Sequence, residues 1–437
     1  MISSIIFIIL LASGVIFFTM SIKKILRNIR LGRDVNINDQ SGKRWITMAR
    51  VALGQSKMVT RPVAGFFHII IYVGFIIINF EVLEIIIDGI FGTHRIFANP
   101  LGSIYNFFIG SFEILAFGVL VACVVFFSRR NIIRLNRFIS KDLDGFPKSD
   151  ANIILIVEVI LMSLFLSMNA ADQLLQERGA EHYIKAGAFP VSSLLVPLLS
   201  NISTETLIAI ERFCWWLHIA GILLFLNYVP FSKHFHIFLS FPNTWYSNLN
   251  KKGKFTNLES VTNEVKLMLD PSAVPPPSTP GAAPVRFGVK DVRDLTWKNL
   301  MDSYSCTECG RCTSVCPANI TGKALSPRKI MMDTRDRLEE VGRNIDQRGP
   351  EYDDGKSLLN DYISPEELWA CTTCNACVQA CPVNIDPLSI IIDMRRFLVM
   401  EQSAAPSELN GMFTKIENNG APWQFSPADR LNWVNKD

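Results

Sequence analysis

Long apolar stretches dominate the chain before Phe241, whereas proline, cysteine and charged residues collect after it. A helix that crosses a bilayer needs about 20 consecutive, mainly apolar residues. Five stretches have this character. They lie at Ser3–Ile22, Pro62–Asp88, Ile104–Ser128, Ala151–Asn169 and Thr206–Val229. The pattern therefore predicts a bundle of five transmembrane helices within residues 1–245.

A proline-rich segment follows this apolar part. Residues Pro271–Pro284 have the sequence PSAVPPPSTPGAAP, which is typical of a semi-rigid, extended linker. We therefore predict three regions: a transmembrane domain over residues 1–245, a linker region over residues 246–288, and a polar, cysteine-containing domain over residues 289–437.

The composition excludes several classes of protein. Of the 437 residues only 19% are charged, and the mean hydropathy is +0.24. Soluble domains carry about 25% charged residues, so a purely soluble enzyme and a disordered chain are excluded. The net charge of +3 is too small to indicate a nucleic-acid partner.

The charges between the predicted spans indicate how the bundle is oriented. Residues 23–61 contain ten Lys or Arg and residues 129–150 contain six, whereas the other loops have only Arg95, Arg178 and Lys185. Basic loops stay on the cytoplasmic side of a membrane. We therefore expect a multi-pass protein of the inner (cytoplasmic) membrane, with its N-terminus outside and its polar domain in the cytoplasm.

Eight of the ten cysteines form two identical runs, each with the spacing Cys-x2-Cys-x2-Cys-x3-Cys-Pro. The first run contains Cys306, Cys309, Cys312 and Cys316, and the second contains Cys371, Cys374, Cys377 and Cys381. This spacing is typical of two-cluster ferredoxins, in which the fourth cysteine of each run binds the other cluster. The pattern therefore predicts two [4Fe–4S] clusters with crossed ligands.

The crossed arrangement defines two ligand sets. The first cluster takes Cys306, Cys309, Cys312 and Cys381, and the second takes Cys371, Cys374, Cys377 and Cys316. A single run would also suit zinc or a purely structural cluster. Two identical runs, each closed by Cys-Pro, favour a pair of clusters that transfers electrons.

The segment between the two runs is predicted to be helical. Pro327–Val341 has apolar and charged residues at helical spacing, and Ser364–Ala370 begins with a capping serine, a proline and two glutamates. With its two cysteine runs, Val289–Trp433 resembles the small iron–sulfur subunit of heterodisulfide reductases and the cluster domain of succinate dehydrogenase-type subunits. The predicted fold is therefore all-α: a five-span transmembrane helical bundle followed by an α-helical two-cluster ferredoxin domain.

Histidines within the apolar part suggest haem. His68 and His218 lie in predicted spans, and His234 and His236 lie at the inner end of the fifth. Ionisable residues inside spans are candidates for function, and paired imidazoles on neighbouring helices hold b-type haem in membrane bundles. We interpret His68, His218 and His236 as haem ligands, because electrons that pass between the clusters and the membrane need a redox centre there.

Two stretches resemble the gamma subunit of respiratory nitrate reductase, a five-span di-haem cytochrome b. They are GFFHIIIYVG at Gly65–Gly74 and LHIAGILLFLNYVPFSKHFHI at Leu217–Ile237. The second stretch keeps two histidines 18 residues apart, whereas Ile78 replaces the histidine expected ten residues after His68.

The resemblance implies that His68 pairs with His236 at an inner haem. On a straight helix His218 would lie about 27 Å from His236, so these two cannot share one haem. His218 would then face an outer haem, with His94 or His182 as a substitute partner. A competing pairing joins His68 with His218, and it is favoured if the fifth helix ends at Pro230. The sequence thus leaves one or two b haems open.

These features predict a membrane-anchored electron-transfer subunit of an oxidoreductase. Its lipid-soluble partner would be menaquinone or another quinone of the membrane pool, and Glu81, Glu84 and Asp88 would mark a proton path or simply meet the headgroup region. The chain lacks a dinucleotide fingerprint, a P-loop and a nucleophile triad. Substrate chemistry therefore belongs to a partner, which the resemblance suggests is a cysteine-rich iron–sulfur protein or a flavoprotein. The alternative is a redox sensor or maturation protein without haem or quinone.

Overall fold

The computed structural model describes residues 1–270, 272 and 286–435. Within this part of the chain all regular structure is helical, apart from two isolated β-bridges. The all-α fold class, with five membrane-length helices followed by a helical domain, is therefore confirmed.

The described residues before the proline-rich segment form ten α-helices. They are α1 (Ile2–Ile29), α2 (Ser41–Met48), α3 (Pro62–Phe91), α4 (Ala98–Leu101), α5 (Ser103–Asn131), α6 (Phe146–Glu177), α7 (Val196–Leu199), α8 (Thr204–Tyr228), α9 (His236–Trp245) and α10 (Glu259–Leu269). Five of them, α1, α3, α5, α6 and α8, are long and apolar enough to cross a membrane, α8 together with the short 3-10 turn that extends it to Phe231. The five predicted spans coincide with these helices.

The membrane helices pack around one apolar core. α6 packs against α5 and α8, α3 packs against α5, and α1 lies across α3 and α8. Phe7, Ile109, Phe165 and Ile219 are almost fully buried in this core. Gly89 of α3 makes room for Phe7, because a Cβ atom at this position would lie 2.7 Å from its ring.

The described residues from 286 to 435 form eight further α-helices. They are α11 (Trp297–Ser305), α12 (Pro317–Ile320), α13 (Pro327–Arg348), α14 (Leu358–Asp361), α15 (Pro365–Trp369), α16 (Ala376–Ala380), α17 (Pro387–Met400) and α18 (Ser407–Asn419). The predicted helices at Pro327–Val341 and Ser364–Ala370 correspond to α13 and α15. Ser364 and Glu367 form a capping box at the start of α15, which satisfies the first free N–H groups of that helix.

The helical polar domain is packed directly onto one end of the bundle. Its core includes Ile25 and Ile29 from the end of α1 and Val229, Phe235 and Leu239 from the segment after α8. Asn28 donates a hydrogen bond to the Tyr304 hydroxyl at 2.9 Å, and this end of α1 lies so close to α13 that a Cβ atom on Gly342 would be 2.5 Å from Asn28. The end that receives the domain bears the connectors at residues 30–61 and 129–150, which are rich in Lys and Arg.

The predicted linker region is only partly described. It contains α10, whereas Pro271–Pro284, apart from Ser272, lies outside the described residues. The division at residues 245 and 288 therefore stays a prediction.

Candidate redox-cofactor sites

The first cysteine run lies on a tight loop between α11 and α12. A capping box of Thr296 and Asn299 fixes the start of α11, which ends immediately before Cys306. Glu308 and Gly310 then adopt left-handed backbone angles, with φ of 53° and 69°. Glycine suits position 310 because side chains with a Cβ atom rarely adopt this backbone conformation, and Nη1 of Arg328 would lie 2.7 Å from such a Cβ atom. These turns fold the loop back on itself over a few residues.

The first predicted ligand set surrounds a single cavity. Cys306, Cys309 and Cys312 line it together with Cys381 from the second run. The backbone N–H of Ile385 donates to Sγ of Cys381 at 3.3 Å. The structure thus brings together the four cysteines that the crossed arrangement assigns to one cluster.

The second predicted ligand set lies beside the first. α16 carries Cys377 and packs against the 3-10 turn Thr313–Val315, which immediately precedes Cys316. The thiol of Cys316 is close enough to interact electrostatically with those of Cys371 and Cys377. Cys377 also lines the cavity of the first set, so the two sets are neighbours. Cys374 is the one exposed cysteine of the eight.

The chemistry of these thiols suits iron. Burial raises the pKa of Cys306 and Cys377 to about 12 and that of Cys381 to about 11. A free thiol in this environment stays protonated at neutral pH, and coordination to a metal would stabilise the thiolate. Backbone donors are also available, since the N–H of Thr373 points at Sγ of Cys371 at 3.4 Å. The residues present therefore fit two cysteine-ligated [4Fe–4S] clusters, which would supply one-electron transfer.

Lysine and arginine side chains lie beside both cysteine ligand sets. Lys57 donates to the carbonyl oxygen of Cys381 at 3.1 Å, and Arg395 donates to that of Cys371 at 2.5 Å. Arg137 and Arg311 interact electrostatically with Cys309. A cluster held by four thiolates is anionic, so these side chains would stabilise it.

Two of the predicted haem ligands face each other. The ring centroids of His68, on α3, and His236, at the start of α9, are 6.5 Å apart, with an interplanar angle of 41°. Imidazole–metal bonds are about 2 Å long, so two rings on opposite sides of one iron have centroids roughly 6 Å apart. Nδ1 of His236 hydrogen-bonds to the Lys233 carbonyl oxygen at 3.0 Å, which orients the ring and leaves Nε2 free. Burial lowers the pKa of His236, which favours the neutral form that binds metals.

The chain reaches this position by a break in the fifth span. α8 ends at Tyr228, a 3-10 turn covers Val229–Phe231, and a second turn over Lys233–Phe235, capped by Ser232, leads into α9. The α-helix therefore ends just before Pro230, the condition that favours the competing pairing of His68 with His218. In the structure His236 nevertheless lies next to His68.

The remaining histidines are placed elsewhere. His218 is buried against α6, where its Nδ1 hydrogen-bonds to the carbonyl oxygen of Leu161 at 3.0 Å. His94 lies 3.4 Å from a carboxylate oxygen of Asp172 and packs edge-on against Tyr183. His182 is exposed. The ring of His234 lies edge-on to that of His236, with an interplanar angle of 90° and a centroid distance of 5.6 Å.

An ionic network that sequence analysis only partly anticipated fills the other end of the bundle. Glu81, Glu84 and Asp88 are all buried, so they do not simply meet headgroups. Arg95 joins them, donating to Asp172 at 2.6 Å and to the Tyr105 hydroxyl, which in turn donates to Glu84 at 2.7 Å. Further members are Glu113 and Asn169. Charges buried at membrane depth need such partners. In the sequence, the only signal for this network is the set of polar residues scattered through α3, α5 and α6.

Two residues that connect the sites were missed. Arg311 donates to the carbonyl oxygens of Lys57 and Met58, just before α3, and is close enough to act electrostatically on His68 and Cys309 alike. Lys233, three residues before His236, is ion-paired with Glu308 of the first cysteine loop. Their sequence positions, beside ligands of two different cofactors, were the available signal.

A known family matches the part of the chain that contains the two cysteine runs. The family described as a 4Fe-4S dicluster domain matches residues 305–385. No solved structure matches the chain.

The individual relatives are iron–sulfur and quinone-linked oxidoreductases. The chain is 29% identical over 460 aligned residues to the probable iron-sulfur-binding oxidoreductase FadF of Bacillus subtilis (99% of this chain, 60% of the relative). It is 28% identical to the EtfAB:quinone oxidoreductase of Syntrophomonas wolfei (92% and 55%). It is 30% identical to one subunit of the dihydromethanophenazine:CoB–CoM heterodisulfide reductase of Methanosarcina acetivorans (34% and 36%). The chain thus spans less than two thirds of the length of each of the first two relatives.

These relatives support an electron-transfer role and [4Fe–4S] clusters. They also confirm the predicted likeness to heterodisulfide reductases. The likeness to a nitrate reductase gamma subunit, and the haem it implies, stay predictions.

Proposed function

We propose that this chain is the membrane-anchored electron-transfer subunit of an oxidoreductase complex. A soluble catalytic partner exchanges electrons with two cytoplasmic [4Fe–4S] clusters. The chain passes these electrons between the clusters and quinone in the membrane through b haem. The clusters would be held by the two crossed cysteine sets and the inner haem by His68 and His236.

The observation that carries this proposal is the position of Arg311. It lies in the loop of the first cysteine set and is close enough to act electrostatically on Cys309, Cys381 and His68. Its hydrogen bonds to Lys57 and Met58 hold that loop against the connector that leads into α3. His68 is six residues after Pro62, the first residue of α3, which is about 9 Å along the helix. The proposed haem and cluster ligands are therefore neighbours.

The positions of the histidines support a single, inner haem more strongly than an inner and an outer haem together. Among the described residues no second imidazole stacks on His218, whose aromatic neighbour is Phe165 at 5.9 Å. His94 is engaged by Asp172 and Tyr183. An outer haem at His218 would therefore need a different second ligand.

The relatives suggest the partners. One relative is named as an oxidoreductase that acts between EtfAB and quinone, and the heterodisulfide reductase relatives are named as subunits D and C. For this chain we propose a flavoprotein or cysteine-rich iron–sulfur partner and menaquinone or another quinone. We also propose that residues 289–437 form the cytoplasmic cluster domain, since the buried core of its described part packs on the end of the bundle that bears the basic connectors.

A spectroscopic and kinetic experiment tests the proposal. The purified protein should contain about eight iron and eight sulfide per chain in its clusters, together with reduced b-type haem bands. After reduction with dithionite, a water-soluble quinone should oxidise haem and clusters together. His68→Ala should prevent cluster oxidation, whereas His182→Ala, at an exposed histidine, should not. Clusters without haem that do not respond to quinone would instead favour the sensor or maturation protein.

A further inference from the structure

A basic cavity lies where the cluster domain meets the membrane bundle. It has a volume of about 490 Å³ and opens between the start of α3, the end of α5 and the first cysteine loop. Three arginines line it: Arg61, Arg129 and Arg137. Ser314 of the cysteine loop forms another part of the wall and accepts a hydrogen bond from Arg61 at 2.6 Å.

The positive charge of this cavity is not balanced by carboxylates. In the described part of the chain no Asp or Glu lines it, and none of the ion pairs found there involves its three arginines. Other arginines of the polar domain are paired: Arg328 with Asp142, Arg335 with Glu308 and Arg337 with Asp291. Like charges repel at short distance, so a cluster of unpaired arginines favours the binding of an anion from elsewhere.

The proposed first iron–sulfur cluster balances only part of this charge. Arg137 interacts with the thiol of Cys309, but it also interacts with Arg61, Arg129 and Arg311. Burial and these cations lower the pKa of Arg137 to about 10. The N-terminus of α3, with Pro62 at its first position, adds further positive potential to the cavity wall. The cavity therefore retains an excess of positive charge.

The residues around the cavity form an exposed apolar surface that suits a lipid. Pro62, Val63 and Ala64 of the first turn of α3 line it, and Val63 is 49% exposed. Phe66, one turn further along α3, is 62% exposed, and Ile132 and Ile133 beyond α5 are exposed on the other side. Anionic charge at the basic end and acyl chains along this apolar surface match an amphipathic ligand. Basic pockets at the cytoplasmic ends of membrane helices bind anionic lipid headgroups in this manner.

We propose that this cavity binds the phosphate headgroup of an anionic phospholipid from the leaflet next to the cluster domain. Arg61 and Arg129 contact the phosphate, and the acyl chains lie along α3 and α5. Because Arg61 also holds Ser314, the bound lipid ties the first cysteine loop to the membrane helices. This site requires neither haem nor quinone, so it stands independently of the proposed function.

Lipid titration of the full chain tests this site. Native mass spectrometry of the detergent-solubilised protein should show tighter binding of phosphatidylglycerol than of phosphatidylcholine. Arg61→Gln and Arg129→Gln should each weaken phosphatidylglycerol binding about fivefold, and the double variant more strongly. Arg134→Gln, at an exposed arginine of the same connector that does not line the cavity, should leave binding unchanged. Arg61→Lys should retain most of it.

Other results would overturn the proposal. Equal binding of the two lipids by the unmodified protein would exclude an anionic lipid site. Displacement of the lipid by millimolar inorganic phosphate would indicate a site for the free anion. Loss of haem from the double variant with unchanged lipid binding would indicate that the arginines bind haem propionates instead. Iron content, measured on every variant, identifies any that has failed to fold.

Discussion

The imidazole rings of His68 and His236 lie 6.5 Å apart, although one belongs to the second membrane helix and the other to a short helix beyond the fifth. Between them, the turns at Val229–Phe231 and Lys233–Phe235 interrupt the helical path after α8. A continuous fifth helix would have carried His236 onward instead. The break in the helix is thus what allows the pair to form.

The first prediction concerns this pair. His68→Ala and His236→Ala should each remove the inner haem, because imidazole supplies an axial bond that alanine cannot replace and water is scarce at that depth. A pyridine haemochrome assay of each variant measures the loss, and iron analysis should show that the clusters remain.

His218→Ala distinguishes the alternatives. If His218 paired with His68, this variant would lose the same haem, whereas the observed contacts of His218 with Leu161 and Phe165 predict that the inner haem survives. His182→Ala serves as the control for histidine replacement. Full haem content in His68→Ala would contradict the cytochrome interpretation.

The second prediction concerns the crossed cluster ligands. Cys381→Ser should remove the first cluster, although Cys381 belongs to the second run, and Cys316→Ser should remove the second. Each variant should keep about four of eight iron atoms, since one complete ligand set remains. Iron analysis and electron paramagnetic resonance of the reduced protein measure this. Cys123→Ser, in the membrane core, should keep all the iron, and loss of the cluster from the mutated run itself would contradict crossing.

The third prediction compares two ion pairs between the membrane and cluster domains. Arg328 is 1% exposed and pairs with Asp142 at 2.6 Å, whereas the pair of Arg27 with Asp346 is about one third exposed. Asp142→Asn leaves a buried guanidinium unpaired and should destabilise the protein by about 3–5 kcal/mol. Asp346→Asn should cost at most about 1 kcal/mol. Thermal unfolding of the full chain in nanodiscs measures the difference, and equal losses would contradict it.

The pH dependence of the Asp142 pair has a definite sign. Burial raises the pKa of Asp142, but the interactions with Arg328, Ser140 and Ser326 together outweigh burial and lower the pKa below its ordinary value of 3.8. A carboxyl whose pKa is lowered by folding stabilises the protein above its unfolded pKa, and this contribution is lost as the pH falls through the folded pKa. The difference between the unmodified protein and Asp142→Asn should therefore be constant from pH 6 to pH 8.

The fourth prediction concerns the outer network. Glu81 is buried, and one of its carboxylate oxygens has no hydrogen-bond partner among the described residues. If these acids exchange protons with quinone, Glu81→Gln should slow oxidation by quinone by about 100-fold, the usual size of such contributions. Haem and iron content should not change. Glu205→Gln, at an exposed acid on the same side of the bundle, is the control, and an unchanged rate in Glu81→Gln would leave the network a structural role.

The fifth prediction concerns sidedness. The basic connectors predict a cytoplasmic cluster domain, so alkaline phosphatase fused after Asp437 should be inactive. The same reporter inserted at Thr93, between the second and third spans, should be active. The reverse pair of results would invert the topology.

The sequence by itself determined the classes of element and of cofactor. Five apolar stretches predict five spans because the thickness of a bilayer is fixed, and the spacing of Cys306–Cys316 and Cys371–Cys381 predicts clusters because ligation by three cysteines is local. Both signals lie within about 30 consecutive residues, so neither depends on how distant parts of the chain meet.

Only the tertiary structure decided which distant residues meet. His236 faces His68, Arg95 enters the network of Glu84 and Asp172, and three arginines from two connectors line one cavity. Each contact depends on turns and helix packing that set direction over long sequence separations. No local pattern encodes such directions, because side chains that interact through space leave no fixed spacing along the chain.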